Sequence, residues 1–194
     1  MPVPEPKACP HGKPFSRVRL IFFWIPVLGL LLADLGTKSW AFAEIGEGVV
    51  SISGTWLALV KVWNPGGVFG LGQNWTTALT LIRVVAVVAL FMVAARQAEG
   101  EKRGIFALGL LLAGALGNLY DNLSRWLPWE GNGMVRDFIM VDLGPAPNWW
   151  PDVLPWLFHP WPIFNLADSC ISISFLLLIF GWAKVQWAVA PPQR

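Results

Sequence analysis

Two aspartates, Asp137 in VRDFI and Asp168 in FNLADS, stand beside apolar runs in a chain that carries little charge. A carboxylate at the boundary of hydrocarbon is costly to place, so it usually has a task or a partner. Two carboxyls that converge cannot both ionise comfortably and can share one proton. One then serves as base toward a water while the other, protonated, polarises a carbonyl. That is the chemistry of an aspartic peptidase. Amides and further acids lie nearby. Asn118 and Asp121 share a helix face by their spacing, as do Asn165 and Asp168. Arg125 extends the Asn118–Asp121 face if that helix continues. Asp34 and Lys38 are spaced for a helical ion pair with the acid first, the favourable order, and are expected to be structural. Asn64 opens NPGGVFG, where Pro65, Gly66 and Gly67 allow a tight turn and close backbone approach.

Competing chemistries lack their residues. The chain has no HExxH, no cysteine pair with zinc spacing and no GxSxG. Clustered Asp and Asn oxygens leave metal binding as an alternative. The amides, and the lack of a second acid beside each aspartate, weigh against it, so no metal or cofactor is expected. Cys9 lies in a polar tail and Cys170 in an apolar run, so they are not expected to pair. His159, in a Pro/Trp-rich stretch, reads as a surface residue.

The elements that must position these residues follow from composition. The 194 residues suffice for one domain, and 55% are hydrophobic while only 13% are charged. The mean hydropathy is +0.54. A soluble domain carries about 25% charged residues, so the chain reads as an integral membrane protein. The net charge of +2 is too small and scattered to argue for a nucleic-acid partner. Four apolar segments, about 18–36, 76–95, 104–120 and 163–183, approach the ~20 residues needed to cross a bilayer. In lipid these must be helices. Arg19 and Lys184 are expected to snorkel at the ends of the first and last. The first segment follows basic residues but has no small-residue cleavage site and runs into Asp34 and Lys38. It is therefore expected to be retained as a span.

Lysine and arginine set the orientation. Lys7, Lys13, Arg17, Arg19, Arg96, Lys102, Arg103, Lys184 and Arg194 fall on one side, against Lys38, Lys61, Arg125 and Arg136 on the other. The positive-inside rule puts both termini in the cytoplasm and the segments 37–75 and 121–162 outside. Those two segments hold ten of the thirteen tryptophans, a residue that favours the water–lipid interface. VVSISGTWLALVKVW (49–63), within a β-rich stretch of about 46–72, predicts a strand or hairpin on the outer face. The remainder, about 121–162, is expected to be an outer loop. Asp34, Asp121, Asp137 and Asp168 then share one level near the outer face. The fold class is thus an all-α membrane protein, with four transmembrane helices, a small β-element and an extended loop on the outer (periplasmic) face. A transporter would place its acids at mid-bilayer on broken helices, and a lipid-binding scaffold would tolerate their loss.

DLGTK (34–38), NPGGVFG (64–70), GALGNLYDN (114–122), VRDFI (135–139) and FNLAD (164–168) occur in the order and topology of the lipoprotein signal peptidase (signal peptidase II) family. The chain resembles that family over about residues 18–185. The resemblance implies a bacterial inner-membrane endopeptidase. It would remove signal peptides from prolipoproteins just before a cysteine carrying a diacylglyceryl lipid. It implies Asp137 and Asp168 as the catalytic pair, Asn64, Gly67, Asn118, Asp121 and Asn165 as their polar surroundings, and Asp34–Lys38 as a structural pair. Membrane lipids and a globomycin-type inhibitor are the further implied partners, and a monomer is expected. The family usually has arginine directly after the acid matched by Asp121, where this chain has Asn122. Arg125, one helical turn on, is the expected replacement. Arg83, inside the second apolar segment, is a further unusual charge for which a structural role is expected.

Overall fold

The computed structural model describes residues 16–54, 56–65, 76–145, 147–149 and 161–187. Among the described residues, three helices are long and apolar enough to cross a membrane: α1 (Arg17–Glu44), α2 (Thr76–Arg96) and α3 (Lys102–Leu123). A fourth, α4 (Leu166–Ile179), has 14 residues. At 1.5 Å per residue that is roughly 21 Å, short of a ~30 Å hydrocarbon layer, so the span expected over 163–183 is shorter as a helix. Both its ends have a cause. Before it, Phe164 is drawn into a backbone bridge with Ile139. After it, Gly181 takes φ +71, and Ala183 N donates back to Leu177 O at 2.9 Å, closing the last turn.

The central helix is α3. Within its apolar window 78% of residues are buried, against 22% for α1 and 11% for α2. Small residues let its neighbours approach closely. A Cβ on Gly114 would lie 2.4 Å from Ala167 O, and one on Gly117 would lie 2.3 Å from Asp34 Oδ2. The glycines of GALGNLYDN therefore admit the α4 backbone and the Asp34 carboxylate. The apolar core joins Phe23 and Val27 of α1 to Ala94 of α2 and to Ile105, Leu108 and Leu112 of α3.

At one end of this core Arg19 is buried, not snorkelled. Its guanidinium donates to the carbonyls of Ala94 and Ala95 in the last turn of α2 and of Gln97 just past it, where helix carbonyls lack partners further along the chain. Gln97, also buried, donates to Lys184 O at 2.9 Å and accepts from Gln186 N at 2.9 Å. The first helix, the α2–α3 turn and the segment after α4 are thereby tied together.

At the opposite end lies a three-stranded antiparallel sheet in the order β1–β2–β3. It comprises β1 (Val49–Ser53), β2 (Leu57–Asn64) and β3 (Val135–Val141). The expected hairpin is β1–β2. The stretch 121–162 is not all loop, because β3 lies within it and α3 runs on to Leu123. Valines and apolar neighbours in VRDFIMV suit a half-buried strand, and the free edge of β2 supplies its hydrogen bonds. Ala41 and Ile45 at the end of α1 pack against Leu59 of β2 and Phe138 of β3, fixing the sheet to the bundle.

Candidate active site

Backbone pairing brings the two aspartates together. Phe138 N and Ile139 N donate to Phe164 O at 3.1 and 2.9 Å, and Phe164 N returns a bond to Ile139 O at 3.1 Å. The residue after Phe164 is Asn165, so α4 begins beside Asp137. Asn165 caps α4 reciprocally with Asp168: Asp168 N donates to Asn165 Oδ1 at 2.9 Å and Asn165 N donates to Asp168 Oδ2 at 3.2 Å. The same asparagine donates from Nδ2 to Asp137 Oδ1 at 2.6 Å. One residue thus holds both carboxyls. On β2, Asn64 is opposite Val135 and diagonal to Asp137. Its Nδ2 donates to Asp137 Oδ2 at 2.9 Å. The amides of Asn64 and Asn165 are therefore spent on orienting Asp137.

Beside this pair lies a buried ion network centred on Lys38. Its Nζ is 2.8 Å from Asp34 Oδ2, 3.1 Å from Asp121 Oδ2 and 3.0 Å from Asn118 Oδ1. Asp34 Oδ1 accepts from Ala167 N at 2.9 Å, anchoring the first turn of α4 to α1. Asn118 donates to Asp168 Oδ1 at 2.8 Å. Asp121 is also gripped by Arg136, whose Nε and Nη2 lie 2.9 and 2.8 Å from Oδ1. The Lys38 ammonium supplies the cation that this group of oxygens requires.

Asp137 is 2% exposed whereas Asp168 is only half-buried. Burial and then the nearby Asp168 charge push the Asp137 carboxyl from its ordinary 3.8 up to about 7. The amides of Asn64 and Asn165 and the Lys38 charge work in the opposite direction. Asp137 is thus suited to hold a proton near neutrality.

Of the residues singled out from sequence, Asp34, Lys38, Asn64, Asn118, Asp121, Asp137, Asn165 and Asp168 meet at this end of the bundle. Gly67 and His159 lie outside the described residues. Arg125 does not join the site. Helix α3 ends at Leu123, and Arg125 is exposed with its guanidinium 6.0 Å from the centre of the Trp126 ring. The cation on Asp121 is Arg136 instead. Adjacent strand residues point to opposite faces, so Arg136 can serve Asp121 while Asp137 serves the pair. A reading of VRDFIMV as a strand would have found it.

The sequence profile described as "Signal peptidase (SPase) II" matches residues 27–184. A lipoprotein signal peptidase of Streptomyces griseus is 35% identical over 165 residues, covering 84% of this chain and 74% of the relative. One from Rhodococcus jostii is 32% identical, covering 90% of this chain and 79% of the relative. One from Cellvibrio japonicus is 30% identical, covering 81% and 84%. Among solved structures, a bacterial membrane enzyme determined by the in meso method at 2.3 Å superposes with a TM-score of 0.65. It is 24% identical, and the match covers 89% of this chain and 91% of that one, a likeness of fold.

Proposed function

This chain belongs to the signal peptidase II family, and on that premise we propose that it cleaves lipid-modified prolipoproteins as an aspartic endopeptidase using Asp137 and Asp168. What carries the reading is the convergence of both carboxyls on Asn165. Asp168 takes a proton from a water as the water oxygen attacks the scissile carbonyl carbon. Asp137 gives its proton to the carbonyl oxygen, forming a neutral tetrahedral gem-diol. Collapse returns a gem-diol proton to Asp137 and delivers the Asp168 proton to the leaving nitrogen as the C–N bond breaks. The products are a carboxylic acid and a free amine, and the pair is ready for the next turn.

The site is reached from the lipid-modified end of the substrate. We take the scissile bond to precede the lipidated cysteine, whose acyl chains stay in the outer leaflet. The basic residues near both termini and in the α2–α3 turn support a cytoplasmic position for the Arg19 end, with the aspartates at the periplasmic end. Exposed Trp40, Trp56, Trp63 and Trp126 at the sheet end suit that interface. No cofactor enters the mechanism, the enzyme acts as a monomer, and a globomycin-type inhibitor competes with the substrate for the aspartate pair.

The test is a gel-shift assay on a lipid-modified prolipoprotein. Asp137→Asn and Asp168→Asn should each lower cleavage by roughly 10³-fold or more, with thermal unfolding preserved. Near-normal turnover in either variant removes the pair from the reaction.

A further inference from the structure

Arg83 is a charge in the site's surroundings to which the mechanism above gives no task. It interrupts an otherwise apolar stretch of α2, where Ile82, Val84 and Val85 are exposed on the outside of the bundle. A guanidinium at such a position is expensive and turns toward polar partners. Its Nη1 donates to Asn122 Oδ1. Asn122 is 1% exposed and donates from Nδ2 to Gly133 O at 2.9 Å. Gly133, at φ +82, is fixed from its other side by a 3.0 Å bond from its N to Ser124 Oγ. Strand β3 starts at Val135, so this chain of contacts runs from α2 through the end of α3 to the lead-in of the strand bearing Asp137.

The charges around the pair give Arg83 a second task. From α1 come Asp34 and Lys38, from α3 Asp121, from α4 Asp168 and from β3 Asp137 and Arg136, while β2 supplies the Asn64 amide. Arg83, from α2, adds a cation to the same corner: its guanidinium is bonded to Asn122, the residue next to Asp121, and lies within Coulombic reach of Asp168, Asp137 and Asp121. Lys38 is held by Asp34 and Asp121, and Arg136 by Asp121. Four carboxyls sharing one proton leave three negative charges, and Lys38, Arg136 and Arg83 are three cations. Without Arg83 the singly protonated pair sits in a buried cluster with excess negative charge.

We propose that Arg83 is a positioning residue for the aspartate pair. Its guanidinium holds Asn122 against the lead-in of β3 and stabilises the ionised carboxylate of Asp137–Asp168. The proposal rests on the peptidase reading above. It also gives this corner a second cation, from α2, beside the Arg136 that grips Asp121.

The test is a pH–rate series on the purified full chain in detergent with a lipid-modified prolipoprotein. The variants are Arg83→Leu, Arg83→Lys and the swap Arg83→Leu/Asn122→Arg, each with its thermal unfolding curve. Arg83→Leu should lower kcat about tenfold or more and leave KM within about twofold. It should also raise the alkaline limb of the profile by about one pH unit, because a carboxyl without its cation holds its proton longer. Arg83→Lys should keep the limb near its original position, and the swap, which returns a guanidinium from α3, should recover most of the lost rate. A lower melting temperature with an unmoved limb in Arg83→Leu makes Arg83 a brace only and overturns the proposal. Should Arg83→Leu fail to fold, the swap decides: a folded swap with the original limb supports the proposal, and any other result overturns it. Unchanged turnover in Arg83→Leu beside an inactive Asp137→Asn faults Arg83 alone, whereas an active Asp137→Asn faults the peptidase reading.

Discussion

At the Arg19 end of the bundle a buried guanidinium donates to three backbone carbonyls and lies 3.6 Å from Glu99. Its partners are fixed by the fold and carry at most one compensating charge. At the aspartate end the bonds run from side chain to side chain, and Asp137 and Asp168 act on one another as like-charged neighbours. Both ends meet the cost of burying charge, but only the second keeps a proton whose location can change. A structural charge ends in backbone or in its opposite; a chemical one is held beside its own kind.

The comparison can be broken by substitution. Lys38→Met should destabilise the protein most, by about 3–5 kcal/mol, because it strands Asp34 and Asp121 in a buried site. Arg19→Met should cost about 1–3 kcal/mol by orphaning carbonyls at the end of α2, with kcat per folded molecule unchanged. Chemical denaturation alongside kcat on the folded fraction checks both. An equal loss of kcat in the two variants would erase the distinction between the ends.

Proton location sharpens it. With its carboxyl raised to about 7, Asp137 keeps its proton through the acid and neutral range, so cleavage should fall above about pH 7. The folded chain holds a proton that the unfolded chain releases from 3.8 upward. This group's contribution to stability is therefore fully present below 3.8, is lost as pH rises to about 7 and is level beyond. Asn64→Ala removes a bond that favours the charged form and should move the alkaline limb upward by less than about one unit. A limb that moves down, or a pH-independent rate, contradicts the assignment of the proton. The smallest effect is expected at Arg125. Because it is exposed over Trp126, Arg125→Ala should keep normal turnover and change stability by less than about 0.5 kcal/mol. A lost activity there would return the guanidinium role to the α3 turn.

Local spacing made much of this legible. Asp34 and Lys38 at one helical turn, and Asn165 and Asp168 at the start of a helix, pair as their spacing dictates, because those contacts lie within one element. The hairpin was legible from β-branched residues over 49–63. What stayed hidden depends on tertiary pairing. β3 becomes a strand because β2 offers an edge, and Arg136 meets Asp121 because β3 crosses the end of α3. The length of α4 is set by its bridge to β3 and by Gly181, so hydropathy alone overstated it. Arg19 looked like an interfacial snorkel because hydropathy cannot show that the end of α2 lies beside it.

Asn165 starts α4 and grips Asp137 with the same side chain, while Asp168 is at once the capping partner and the second acid. On the proposed mechanism, assembly of the last helix and arming of the pair are therefore one event: a half-inserted chain is expected to be inert, and a substitution that frays this first turn is expected to disarm the site without touching a substrate.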